Sequence, residues 1–580
     1  MPLPELSGAL GLKRAAHLLR RATFGPTKEE IDAFALLTPA QAIQQLFRQT
    51  LPDPLLPTDP FTGQEWVITG TTDANNPDDE LQQYFKGWFI GQMLSNGIDP
   101  ALSLAYSARE KIVFFLHTHF TAIQSKINNS RSLYFQNQLL RMFSLDALNT
   151  DPLINFRELC VKISVDNAML QLLDGNMNVK GSPNENYARE FHELYTIGRG
   201  LEGTLPPTSE PGDYILFTEA DIQAAARVFS GWQIDDTFAT IDPQTNLRRG
   251  KVRGNPLNAS AHDNDPKQFS ARFNNAIIQP DPLLLNGGMA TEESALDEIR
   301  QLVAQIYNKP ETARNICWKI YRFFVYAPHT PETSIAIDNS IITEMANTFL
   351  ANNFKIQPVI ENLLRSEHFY EAGTSARDDN FGGIIKSPLD LVIGTMRFFH
   401  LQIPDMATQP VTFYEATNEI IRSLENLGMN FFEPYDVAGY EAYHQYPIYH
   451  RSWITPNYLA RRYEFIRHVI MASDAGMFNV DVYEFVKNKF PDAIASDARA
   501  LILSLAKYLL PVADNLTFDE AGDDNAAITA QRLNYFKERF LQQFDEAYWT
   551  TRWEKSAPDL RDQLEFLFNA MLQSPENQLY

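Results

Sequence analysis

Segment after segment of this 580-residue chain places apolar residues three and four apart. That spacing puts them on one face of a helix. It recurs in "SAREKIVFFLHTHF", "NICWKIYRFFV", "IITEMANTFLANN", "KSPLDLVIGTMRFFH" and "AQRLNYFKERFLQQF". In "TKEEIDAFALL", Thr27 and Glu30 stand at capping-box spacing. Strand signals are sparse. They fall between about 233 and 285, where "KVRGN" and "KQFSARF" sit among turn residues. The pattern predicts a mainly α protein: a large multi-helix domain over 1–473 with at most a small β-element around 233–285. Residues 474–580 read as a C-terminal helical extension packed on that domain. "GTLPPTSEPGDY" (Gly203 to Tyr214) and the acidic "TFDEAGDDNAA" (Thr517 to Ala527) read as loops.

Composition narrows the functional classes. The formal net charge is −23, which opposes non-specific nucleic-acid binding, because that binding needs cations against phosphates. The two cysteines, Cys160 and Cys317, form no CxxC pair, and both occupy apolar helix positions that suit inert core thiols. No apolar run reaches the ~18 residues of a membrane span. Arg20-Arg21 suggests a twin-arginine signal, but no apolar stretch or cleavage site follows. The N-terminus therefore reads as the first helix of the domain, and the cytoplasm is the default location. No phosphate-binding glycine loop and no G-x-S-x-G elbow is present.

The densest chemistry lies in "GSPNENYAREFHELYTIGRG" (Gly181 to Gly200). Ser182, Pro183 and Glu185 suit the N-cap, N1 and N3 positions of a helix of about four turns. Gly198 and Gly200 suit its stop. At ~100° per residue, Asn186, Glu190 and Glu193 share a stripe beside the apolar Tyr187, Phe191 and Leu194. His192 points elsewhere. "HELYT" is not a zinc-protease motif, because Thr196 stands where the second His is required. Two readings remain. Glu185, Arg189 and Glu193 form a structural ladder at i, i+4, i+8, or Glu190 and Glu193 line a cleft as paired carboxylates that share a proton or hold a divalent cation.

Further candidates lie outside this stretch. His117 and His119 diverge on a helix and cannot share an ion; His117 is either a hydrogen-bonded core or cleft histidine or a ligand or general base, and His119 reads as a helix-terminal contact. In "AHDNDPKQF", His262 and Asp263 are either a polar turn or metal ligands joining Glu190 or Glu193. No cofactor is called for beyond such a divalent metal. Asn315, Lys319 and Arg322 align on one helix face. Buried cations need partners, which predicts a polar network of Arg20, Arg21, Asn184, Asn186, Arg189, Lys319 and Arg322, with Arg20 or Arg21 on Glu190 or Glu193. "YEAYHQYPIYHRSW" (Tyr440 to Trp453) suits sugar stacking or a protein interface equally.

Eight stretches carry a family resemblance: "AAHLLRRATFGPT", "REKIVFFLHTHF", "DNAMLQLLDGNMNVKGSPNENYAREFHELYTIG", "FTEADIQAAARVFSGW", "HDNDPKQF", "ARNICWKIYRFFV", "IKSPLDLVIGTMR", and "FFEPYDVAGY" through "SWITPNYLARR". Together they resemble the bacterial domain-of-unknown-function family 1800, over most of the chain to about residue 465. The resemblance implies a common fold without a known activity. It also implies export or the cell envelope as an alternative location, and a companion protein related to sulfatase- or phosphatase-like hydrolases. His192 departs from the family pattern, which has an apolar residue there.

Two functions follow. The chain is a non-catalytic partner or scaffold for a companion envelope-associated protein, with no nucleic acid and no membrane span. Alternatively it is a carboxylate- or metal-dependent hydrolase of a carbohydrate or ester, with Glu190, Glu193 and His117 as catalytic groups.

Overall fold

The computed structural model describes residues 3–67, 78–208, 210–371, 381–474, 476–511, 516–519, 529–557 and 560–580. The acidic stretch after Asp519 lies outside them. The fold is mainly α, with 26 α-helices among the described residues. The small β-element consists of three antiparallel two-residue pairs: Trp232–Gln233 with Lys251–Val252, Gly254–Asn255 with Asn258–Ala259, and Lys267–Gln268 with Ile277–Ile278.

The helix Pro100–His119 forms the centre. Asp99 caps it by accepting from the Ala101 amide, and Pro100 opens it without losing a needed donor. From Leu104 to His117 every residue is buried, so the helix is surrounded by protein on all sides. Its one buried carboxylate is matched. Arg141 donates to Glu110 through Nη2 at 2.6 Å and Nε at 2.9 Å, and Arg109 Nε donates at 2.9 Å. This charged fork leaves Glu110 fully buried with its two nearest cations in place.

Local signals held where they concern one helix. Thr27 and Glu30 form the capping box. Cys160 and Cys317 are both buried free thiols. Burial pushes the Cys160 thiol up to about 12, against a hydroxyl contact from Tyr307 at 3.2 Å.

The chain after residue 474 is stitched into the interior. Lys386 N donates to Gln578 O at 2.8 Å, and Tyr580 N to Ile384 O at 3.0 Å. The last residues thus lie antiparallel to the segment that opens the helix Pro388–Phe398. Close packing there explains one glycine. Gly25 of "RATFG" has φ +107°, and a Cβ on it would stand 2.7 Å from Gly394 Cα. The first helix can approach Pro388–Phe398 only without that atom.

Candidate functional site

The stretch Gly181 to Gly200 is a shorter helix than its sequence suggests. The helix runs Glu185–Glu190 and widens into a π-turn over Phe191–Tyr195. Asn184 is the N-cap, accepting from Asn186 N at 3.0 Å. Ser182 instead closes a bridge to Val179. Asn184 Nδ2 donates to Asp174 O at 3.3 Å and Asn186 Nδ2 to Leu173 O at 3.4 Å, so both amides tie the helix start to the preceding turn. At the far end Gly198 donates to His192 O at 2.8 Å. Gly198 has φ +70°, and a Cβ on it would meet Asn315 at 2.8 Å.

The predicted ladder forms only in part. Arg189 contacts Glu185 at 3.5 Å, but its stronger pair is Glu219, at 2.5 Å, on the helix Glu219–Val228. Glu193 pairs with Arg199 at 2.7 Å, not with Arg189. Glu190 is half-buried and makes no ion pair or hydrogen bond among the described residues. Burial, then the neighbouring Glu193, push its carboxyl above the ordinary range. His192 is buried and contacts Ala188 O at 2.8 Å, and burial pushes its pKa down to about 4.

The cations come from a different direction than the pairing of Arg20 or Arg21 with this helix requires. On Pro310–Phe324, Asn315 Nδ2 donates to Thr196 O at 2.7 Å, Lys319 Nζ to Leu194 O at 2.5 Å, and Arg322 holds Glu202 in a fork at 2.5 and 3.2 Å. Asn315 and Lys319 occupy backbone carbonyls freed where the π-turn ends, and none of the three reaches Glu190 or Glu193. Arg20 donates to Tyr508 O, and Arg21 lies over the Tyr580 ring at 4.7 Å. Helical phase explains the error: the apolar margin of one helix does not say which distant segment covers it.

Behind Lys319 and Arg322 a cleft reaches His119, Tyr443, His444, Tyr449 and His450, with Asp390 and Tyr580 at its floor. Arg322 is flanked by the Trp318 and Tyr449 rings, each at 5.1 Å. Four buried polar atoms at this wall have no hydrogen-bond partner among the described residues: Arg322 Nε, His444 Nε2, Tyr449 Oη and His450 Nε2. The His450 tautomer follows from its other nitrogen. Ile385 N donates to Nδ1 at 3.1 Å, so the neutral ring carries its proton on Nε2. Burial keeps it neutral, pushing its pKa to about 3. His444 Nε2 lies 3.8 Å from Asp436. Arg322 Nε–H and His450 Nε2–H are donors, and Tyr449 can be one. Buried polar atoms are ordinarily hydrogen-bonded, so each calls for a partner, an ordered water or a bound group.

The remaining sequence candidates lie apart from this cleft. His117 is buried against Phe432, ring centroids 4.2 Å apart, and burial lowers its pKa to about 3. It is a neutral core histidine with no access to a substrate, which removes the general-base reading. His262 and Asp263 are held by other groups: Nε2 of His262 is 3.4 Å from Glu298, and Asp263 pairs with Arg227 at 2.7 Å. Among the described residues no three His, Cys, Asp or Glu side chains are grouped as metal ligands would be, so Glu190, Glu193, His262 and Asp263 do not assemble. The cleft histidines His444 and His450 were missed. Both lie in "YEAYHQYPIYHRSW", where the aromatic density drew the reading away from them.

The fold is thus a helical scaffold with an interior cleft walled by cations, aromatic rings and unpartnered donors. A family model described as "Protein of unknown function (DUF1800)" matches residues 17–579, and the chain belongs to that family. The match continues well beyond residue 465, where the quoted motifs stop. No curated protein and no solved structure matches the chain.

Proposed function

We propose that the protein is a non-catalytic partner or scaffold whose cleft receives an acidic group presented by a companion protein of the cell envelope. One observation carries this reading: the unpartnered polar atoms of the cleft include the donors Arg322 Nε–H and His450 Nε2–H. Of the other groups that would do acid–base work, His117 is buried and neutral, and Glu193 and Asp263 are committed to ion pairs. The resemblance supplies the partner class, a protein related to sulfatase- or phosphatase-like hydrolases. The test is light scattering on mixtures of the chain with a candidate companion. A complex weakened at least tenfold by Tyr449→Phe or His450→Leu supports the reading. An unaltered complex in both variants counts against it.

A second reading rests on Glu190. It has no ion-pair partner among the described residues, its carboxyl is pushed up by burial, and Glu193 stands three residues away. Such a pair suits a hydrolase of a carbohydrate or ester, with or without a divalent cation. Hydrolysis of a glycan or ester by the purified chain, lost in Glu190→Gln at unchanged melting temperature, would establish this reading over the first. Metal analysis of the same two proteins tests the cation.

A further inference from the structure

On the far side of Asp390 from the cleft lies a second cavity, half open to solvent. Arg20, Lys386, Asn577 and Tyr580 line one part of it, and Phe398, Phe399 and Leu572 are among its apolar lining. The balance of charge around it is unusual. Asp390 is bonded by Lys111, by Ser387 Oγ at 2.6 Å and by Tyr580 Oη at 2.8 Å. Lys111 and Asp390 therefore neutralise each other.

Three more cations have no such match. Arg20 donates to the Tyr508 carbonyl, and Lys386 Nζ to Asn577 Oδ1 at 3.2 Å. Arg462, fully buried, donates to Trp453 O and Gln578 Oε1, each at 3.2 Å, and to the Lys386 carbonyl. Every one of these acceptors is neutral. None of the three cations makes an ion pair among the described residues. Burial lowers the pKa of Arg20 to about 10, and burial together with Arg20 and Arg462 lowers that of Lys386. Buried cations are ordinarily paired, because desolvation alone costs several kcal/mol for each ion. Three cations without an ion pair among the described residues lie close together here, Arg462 buried and Arg20 and Lys386 half-buried, in a chain whose net charge is −23.

We propose that this cavity is a binding site for a small organic acid, its carboxylate on Arg20 and Lys386 and its apolar body against Phe398, Phe399 and Leu572. The carboxylate supplies the missing negative charge. Arg offers a planar fork to it, Lys a point charge. The apolar walls select an acid with a hydrocarbon body over inorganic phosphate. The site is separate from the cleft reading above, and its failure leaves that reading untouched.

The experiment is thermal unfolding of the full chain with hexanoate, benzoate, inorganic phosphate or chloride at matched ionic strength. Hexanoate or benzoate is expected to raise the melting temperature in proportion to the logarithm of its concentration, with phosphate and chloride without effect. Lys386→Met keeps the stem and removes the charge. It is expected to weaken the carboxylate response at least tenfold. Leu572→Phe, which fills the apolar part and leaves the cations intact, is expected to weaken the response as well, and it serves should Lys386→Met not fold. No carboxylate response in the wild type overturns the proposal. So does a response to phosphate alone, or one unchanged in Lys386→Met or Leu572→Phe.

Discussion

Lys319 Nζ donates to the Leu194 carbonyl at 2.5 Å across 125 residues of sequence. That bond fastens the helix Pro310–Phe324 to the end of the π-turn in the most distinctive motif of the chain. Asn315 holds the next carbonyl but one, Thr196 O. Cations and amides placed on a helix end in this way satisfy carbonyls that the helix cannot.

Replacing Lys319 by Met removes a charged donor from a carbonyl that has turned into the interior. A hydrogen bond to a charged group contributes ~1.5–3 kcal/mol, and Lys319→Met is expected to lose about that much stability. Urea unfolding measures it. An unchanged midpoint would mean that water replaces the ammonium at no cost.

The buried fork at Glu110 carries a larger effect. Glu110→Gln leaves Arg141 and Arg109 facing an uncharged amide inside the protein, with the Arg141 side chain 5% exposed. Removing one partner of a buried pair costs about 3–5 kcal/mol. The variant is expected to unfold at much lower urea concentration, or to be recovered poorly.

Asp146 gives a pH signature. Its carboxylate accepts from Ile356 N at 2.7 Å and Gln357 N at 3.1 Å, yet burial outweighs these bonds and raises its pKa to about 7. Because the folded pKa lies above the unfolded one, the group's contribution to stability is fully present below about pH 4. It is lost as pH rises towards 7. Asp146→Asn does not titrate there. The stability of the wild type relative to Asp146→Asn is expected to be greater at pH 4.5 than at pH 7, as read from paired urea curves. A difference that does not vary with pH would contradict the raised pKa.

Glu190 and Glu193 are expected to separate on substitution. Glu193→Gln removes a pair whose arginine is 53% exposed, and such pairs contribute below about 1 kcal/mol. Glu190→Gln removes a charge that burial and Glu193 both disfavour, so at pH 7 it is expected to melt at the same or a slightly higher temperature. A marked loss in Glu190→Gln would reveal a partner for that carboxylate.

The sequence by itself determined the elements. Apolar spacing of three and four gave the helices, and sparse alternation confined the strands to a short stretch near 233–285. Thr27 and Glu30 gave a capping box, and Asn315, Lys319 and Arg322 a shared face. Each of these depends on residues within two or three turns of one another, so local geometry settles them. The N-cap is Asn184 rather than Ser182, which bridges to Val179, and the last turn widens where Asn315 and Lys319 reach its carbonyls.

Only the tertiary structure decided where the charges met. Arg20 finds Tyr508, 488 residues away, rather than Glu190. Asp390 gathers Lys111 and Tyr580 from distant parts of the chain. His444 and His450 face a cleft that no spacing announces. Helical phase says which side of a helix is buried, but the identity of what buries it is set by how the helices pack, and that is a property of the whole core.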